Sequence, residues 1–373
     1  MGMKGFKGFE KDFSCKGKQY EENTTYEEHG VGCCHEGVMH FCEDPWEVLN
    51  HYDLVDGNGN FSEFAEVEAL GQVWNDGEKR ATNKIHIGAK LGFKDFIKAY
   101  IDFTIKRTKF DGSSGYYAQI GSSGDSVKIG SSGYYAKIGS SGDYAKIGSS
   151  GDYAQIVSSG DYAQIGSSGD YAQIGSSGDS AQIGSSGDYA KIGSSGYYAQ
   201  IGSSGYSAQI GSSGDSAKIG SSGYSALIGS SGDYAQIGSS GDYAQIGSSG
   251  YYAQIGSSGD YAQIGSSGDY AQIGSSGYSA QIGSSGYYAK IGSSGDSAQI
   301  NSTGEDAVIM CAGSRSKAKG KKGSWITLAE WAKDEEKGRY VPVCVKTERV
   351  DGEKIKEDTY YTLKNGEFVE VEE

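Results

Sequence analysis

The chain has 373 residues, a formal net charge of −15, and 61 glycines against 2 prolines. Such acidity argues against general nucleic-acid binding, because affinity for phosphate comes from Lys and Arg that neutralise it. No apolar run is long enough to span a bilayer, the first residues lack a secretory hydrophobic stretch, and 6 Cys give no disulfide framework.

Residues 1–110 read as a small α+β domain. In E-D-P-W-E-V-L-N, Asp44 is placed to cap a helix whose first residue is Pro45. Phe64 to Leu70 and Lys84 to Ile87 alternate as strands do. Phe93, Phe96, Ile97 and Tyr100 recur at helical spacing, and Ile101, Phe103 and Ile105 suggest a first irregular rung leading into the repeats. Cys33, Cys34, His35, His40 and Cys42 crowd into ten residues and are candidate metal ligands. Their spacing matches no standard zinc pair, so buried thiols are the simpler expectation. His35 or His40 with Glu63, Glu66 or Glu68 would supply an acid–base pair if the fold brought them together. D-G-N-G-N at 56–60 lacks the glycine and terminal Glu of a calcium loop and reads as a turn.

Residues 111–318 form the repeat region. From Gly112 to Ile309 one phrase, G-S-S-G-D-Y-A-Q-I, is written 22 times without a gap. Ile at position nine and Gly at position four never change, and Ala at position seven yields once, to Val127. Position five is Asp in 13 copies and Tyr in 8; position six is Tyr in 14 and Ser in 7. Alternation along a strand puts seven and nine inward, with six and eight toward water. The invariant Gly is expected to take a positive φ within a G-S-S-G-D turn.

Nine residues at ~3.3 Å each cannot enclose a packed interior, whereas 18 residues supply two strands and two turns; a triangular 27-residue coil is the alternative, but it divides 22 copies poorly. The expected architecture is therefore mainly β: a parallel β-solenoid, or β-roll, with two nonapeptides per 18-residue coil and about 11 coils. At ~4.8 Å per rung it would extend roughly 50 Å. Residues 319–373 read as a small β cap, with strands at Trp325 to Leu328, Tyr340 to Lys346, Tyr360 to Leu363 and Phe368 to Val371. Asn365-Gly366 is the hairpin signal between the last two. Gly313 and Ala318 keep the repeat register, as a degenerate twenty-third copy would.

Stacking of alternate copies yields surface ladders. Tyr144 and Tyr162 fall in one column, and Tyr153, Tyr171 and Tyr189 in the other; Asp125, Asp143, Asp161 and Asp179 line one edge. Tyr ladders suit protein or glycan surfaces, the ring offering contact area with a polar tip, and they also shield the strands beneath. The Asp column would bind cations loosely or imitate a nucleic-acid backbone, although Tyr interrupts both edges. Calcium is not expected as a folding cofactor, since Tyr replaces the acid in 8 copies. The cluster Arg315, Lys317, Lys319, Lys321 and Lys322 reads as a solvated linker that offsets the acidic body.

The opening K-G-F-K-G-F-E-K-D-F-S-C-K-G, the segment C-C-H-E-G-V-M-H-F-C-E-D-P (33–45), and the closing G-S-W-I-T-L-A-E-W and V-D-G-E-K-I-K-E-D-T-Y-Y-T-L together resemble a family of uncharacterised bacterial and phage-associated nonapeptide-repeat proteins. That resemblance implies a phage or prophage setting and brings no activity. The Gly-rich turn followed by A-x-I is also similar to the head repeats of trimeric autotransporter adhesins, without their stalk or anchor.

These features lead us to expect a non-enzymatic, acidic solenoid with a structural or binding role. It would have no cofactor, a protein or glycan partner, and no membrane or direct nucleic-acid contact. A cytoplasmic or virion-associated location fits. The alternatives are a DNA mimic or host-factor inhibitor, and an N-terminal metal or enzyme domain carried on a solenoid stalk.

Overall fold

The computed structural model describes residues 2–372 apart from 34–36, 53–61, 78, 93–94, 97–98, 101–102 and 104–114. The chain is mainly β, with an N-terminal β domain, a parallel β-solenoid of about 12 turns with ~18-residue coils, and C-terminal strands. Two compact units divide it: Met1–Asp56, Asn60–Ile192 and Ala199–Ser204 form one, and Gly57–Gly59, Gly193–Tyr198 and Gly205–Glu373 the other. Among the described residues no helix is long and apolar enough to cross a membrane.

Among the described residues the first unit opens with nine strands: β1 (Met3–Phe9), β2 (Ser14–Cys15), β3 (Lys18–Gln19), β4 (Thr24–Glu27), β5 (Met39–Cys42), β6 (Glu63–Ala69), β7 (Val73–Asp76), β8 (Lys79–Thr82) and β9 (Lys84–Leu91). Seven of them make one sheet in the order β4-β9-β6-β1-β5-β8-β7. The expected α+β character shrinks accordingly. Asp44 does cap a helix, accepting from the Trp46 amide at 3.0 Å, but Pro45–Asn50 is a short 3-10 turn. Residues 95, 96, 99, 100 and 103 are helical, so Phe103 is not part of an irregular rung. Phe93, Ile97, Ile101, Ile105 and the 56–60 segment lie outside the described residues. Trp46, Phe64, Phe96 and Tyr100 pack together as one core, with Phe64 and Phe96 stacked at 3.9 Å between ring centroids.

In the solenoid most strands are four-residue Gln/Lys-Ile-Gly-Ser segments that pair in parallel with the copy 18 residues on. In the first unit Lys146–Ser149 pairs with Gln164–Ser167, and in the second Gln245–Ser248 pairs with Gln263–Ser266, identical positions facing each other. Alternate copies therefore stack, as the coil-closure argument requires. Ile246, Ile255, Ile264 and Ile273 are buried, and Ala244, Ala253, Ala262 and Ala271 are completely so. The strand extends further than expected: Ser at position two, represented by Ser248, Ser257 and Ser266, also points inward. Position six leaves the strand face altogether and sits in the turn.

That turn corrects the expected role of the invariant glycine. The left-handed residue is position six, not position four: Tyr243, Tyr252, Tyr261 and Tyr270 have φ of +56° to +58°. A non-glycine residue pays roughly 1–2 kcal/mol for this region, and its amide is used in return. Tyr144 donates to the Asp161 carbonyl at 2.8 Å, and Tyr243 to that of Asp260 at 2.8 Å. Position four is glycine because the coils approach there. A Cβ on Gly259 would collide with the Gly241 carbonyl oxygen of the preceding coil, and one on Gly160 with that of Gly142. Position one differs. A Cβ on Gly247, Gly265 or Gly274 meets nothing, which explains why Val157 and Asn301 are accepted in that register.

The second unit ends in two hairpins that carry on from the last rungs. Trp325–Asp334 pairs in parallel with Val308–Cys311 and antiparallel with Arg339–Arg349. Tyr360–Lys364 pairs antiparallel with the degenerate copy at Lys317–Lys319, then with Glu367–Val371 across the Asn365-Gly366 turn, whose φ values are +53° and +73°. Ser316 and Ser324 hydroxyls accept the amides of Ala298 and Ala307. Lys317 and Lys319 lie 4.9 and 4.5 Å from the Tyr360 ring centre, and Lys321 Nζ is 2.6 Å from Asp358. The basic cluster is thus built into the cap and is more than a solvated linker.

Two glycine substitutions separate these roles. Gly259→Ala should destabilise the chain by about 1–3 kcal/mol through overpacking. Gly265→Ala should be neutral or stabilising by up to ~1 kcal/mol, because it only restricts the unfolded chain. Denaturant titrations of the two variants giving equal midpoints would contradict the assignment.

Candidate functional site

The ladders form in the columns expected of them. Tyr144 stacks on Tyr162 at 5.0 Å and 4°, Tyr153 on Tyr171 at 4.9 Å and 4°, and Tyr171 on Tyr189 at 5.0 Å and 8°. In the second unit Tyr234, Tyr252, Tyr270 and Tyr288 form a further series at 4.9–5.1 Å. These rings are between 38% and 57% exposed. Their faces, however, are covered by each other. Outward they present edges and a row of phenol hydroxyls, so a partner meets polar tips at a fixed step and not open ring faces.

Asp at position five has a structural duty that its exposure conceals. Asp125 accepts the amide of Asp143 at 3.1 Å, Asp143 that of Asp161 at 2.9 Å, and Asp161 that of Asp179 at 2.8 Å. In the second unit Asp260 does the same for Tyr278 at 2.7 Å. Each carboxylate caps the turn one coil further on, filling the position-five amide between the backbone-bonded amides of positions three and six. One oxygen of each is engaged in this way, and Asp–amide bonding also softens the like-charge repulsion of a ~5 Å column.

In the N-terminal domain the described cysteine and histidine residues do not converge. Cys33 Sγ donates to the Asn75 carbonyl at 2.9 Å, His40 Nε2 meets the Cys33 carbonyl, and Cys42 is buried in the core. Among the described residues no group of three or more His, Cys, Asp or Glu could hold a metal. Cys34 and His35 lie outside those residues. Burial holds the His40 imidazole below its usual value. Glu63 pairs with Lys90 at 2.8 Å and Glu68 accepts the Gly2 amide at 3.0 Å, which gives both glutamates other work.

Sequence reading missed the most unusual polar group of the domain. Lys7, on β1 between Phe6 and Gly8, is only 5% exposed. Its Nζ lies 3.2 Å from Cys15 Sγ and 3.3 Å from the His40 carbonyl oxygen, and the Tyr52 hydroxyl donates to the same sulfur at 2.7 Å. These side chains line a cavity of about 670 Å3 that also receives Lys16, Lys18 and Lys79. Desolvation pushes Lys7 below the ordinary lysine value and raises the Tyr52 phenol. The one available signal was the K-G-F-K-G-F opening, in which alternation sets Lys7 on the same face as Gly5 and Phe9.

A second missed feature is the seat of this domain on the first coils, inside the first unit. Buried Asp44, besides capping Trp46, lies 3.4 Å from Lys146 and 3.9 Å from Lys128; Glu47 is 3.5 Å from Lys146, and Tyr100 donates to the Gln164 carbonyl at 3.4 Å. Position-eight residues of one face thus serve as attachment points.

Residues 3–99 match the family described as Domain of unknown function (DUF7666). No curated protein and no solved structure matches the chain.

Two measurements would check this geometry. Asp260→Ala should cost about 1 kcal/mol and speed hydrogen exchange at the Tyr278 turn, whereas a wild-type exchange rate there would rule out the capping role. For Lys7, the folded value lies below the unfolded 10.5, so in that interval the unfolded chain binds more protons and stability rises with pH. Above about pH 10 the raised Tyr20 and Tyr52 phenols act in the opposite sense. Lys7→Met should flatten the rise below that point, as read from denaturation midpoints across pH; an unchanged slope would contradict the burial argument.

Proposed function

We propose that the chain is a non-enzymatic binding or spacer protein whose acidic solenoid displays regularly stepped tyrosine and aspartate arrays to a protein or glycan partner. The observation that carries this reading is the outward row of phenol hydroxyls. Position six is Ser in 7 copies, five of them in the same left-handed turn, yet 14 carry Tyr. Turn conformation alone does not call for an aromatic, since Ser216 and Ser297 take the same left-handed geometry. A large, rigid side chain with a polar tip suits recognition, because it adds contact area at low conformational cost. A phage or prophage setting is supported by the opening and closing segments that resemble such proteins.

The DNA-mimic alternative is weakened by the aspartate bonding. A phosphate imitation needs carboxylates directed at the partner, and each of these gives one oxygen to its own backbone.

The test uses the full chain and a variant with Tyr252→Ser, Tyr270→Ser and Tyr288→Ser, applied to glycan arrays and to bacterial lysate. Binding retained at high salt by the parent and lost by the variant, with thermal stability within a few degrees, is the expected result. Equal binding by both proteins would overturn the role of the tyrosine row. Selective enrichment of a DNA-binding enzyme would favour mimicry.

A further inference from the structure

Beyond the solenoid, and independently of its proposed role, we propose that Lys7 is a carbonyl-capturing amine: the N-terminal cleft takes a small anionic aldehyde or ketone and holds it as an imine. The argument begins with hydrogen-bond capacity. A neutral amine has two hydrogens and one lone pair, whereas an ammonium has three hydrogens and no acceptor. Lys7 has two acceptors within reach, Cys15 Sγ at 3.2 Å and the His40 carbonyl at 3.3 Å. Two hydrogens are thereby satisfied, and the lone pair is left as the group without a donor.

The surroundings of the amine act in both directions. Phe9 and Tyr20 ring centres stand 5.4 and 5.5 Å from Nζ and favour a cation. Cys15 and Cys42 also favour it, while Lys16 and burial oppose it, burial being the largest influence. His40 presents its carbonyl and not its ring, and Glu10 and Glu28 lie on the cavity wall. A lysine desolvated in this manner is a recognised way of making an amine nucleophilic near neutral pH.

The cavity supplies the remaining requirements. Its volume of about 670 Å3 is ample for a small metabolite, and Lys16, Lys18 and Lys79 on the wall favour an anion although the chain as a whole is acidic. Lys18 pairs with Glu28, leaving the local balance on the basic side. Tyr52, whose phenol burial keeps protonated, donates to Cys15, so a hydroxyl and a thiol stand beside the amine as a short proton relay.

The chemistry balances without an added reagent. The Nζ lone pair attacks the carbonyl carbon as the C=O pair moves to oxygen. One proton passes from nitrogen to that oxygen, giving a carbinolamine. A second proton, delivered through Cys15 or Tyr52 and restored from nitrogen, lets the hydroxyl leave as water while the C=N bond forms. The sum is amine plus carbonyl giving imine plus water.

Pyridoxal 5′-phosphate, an aldehyde bearing an anionic group, serves as probe with the full chain. The adduct is fixed by borohydride and located by peptide mass mapping. Lys7 should be labelled ahead of exposed lysines such as Lys4 at neutral pH. Cys15→Ser and Tyr52→Phe, which keep the amine, should slow that labelling by at least ~10-fold while the other lysines react as before. Lys7→Met should abolish the fast phase. Because Lys7→Met can disturb the core, the Cys15 and Tyr52 variants decide the matter. Labelling of Lys7 no faster than Lys4 in the native parent, or a rate unaffected by both variants, would overturn the proposal.

Discussion

Close approach of one coil to the next at the position-four glycine is the constraint on which the solenoid depends. The carbonyl of one copy occupies the space where a Cβ would stand in the copy 18 residues on, as the Gly241 and Gly259 pair illustrates. That contact fixes the turn, and the turn fixes the rest. In most copies the position-six residue lies in the left-handed region and its amide reaches the neighbouring coil, and the four residues from position eight to position two run as a parallel strand. Isoleucine and alanine then fall inside without further specification. Since each coil touches mainly its neighbours, stability accumulates rung by rung.

Most of this was legible because the chain repeats. Twenty-two copies of one phrase reveal which positions tolerate change, and geometry does the remainder: nine residues are too few to close a coil and 18 suffice. Three things were concealed. Alternation alone cannot distinguish a glycine kept for its φ from one kept for its missing side chain, so Gly259 and Tyr261 exchanged roles. The inward serines of position two are disguised by their turn-like neighbours. Asp at position five reads as a solvated charge, and only the coil-to-coil register shows which amide it serves.

The N-terminal domain was less readable for a related reason: it is met only once. β1 carries glycine at every third position, which breaks the alternation that marks a strand, and its buried lysine looks like an ordinary surface charge. The cap at Asp44 and the strands from Glu63 and Lys84 were visible because capping chemistry and apolar alternation are local. The pairing of Lys7 with Cys15 and Tyr52 joins segments eight and 37 residues from that cysteine, and no local pattern encodes it.

Rung stacking also links the parts functionally, since the column spacing that buries isoleucine is the spacing at which tyrosine rings stack and aspartates cap. The most direct measurement of the coil is disulfide formation between engineered cysteines on the outer strand face. Gln245→Cys with Gln263→Cys, facing partners in adjacent rungs, should cross-link on mild oxidation, whereas Gln245→Cys with Gln254→Cys should not. Cross-linking of the 245 and 254 pair, with none between 245 and 263, would contradict the 18-residue coil.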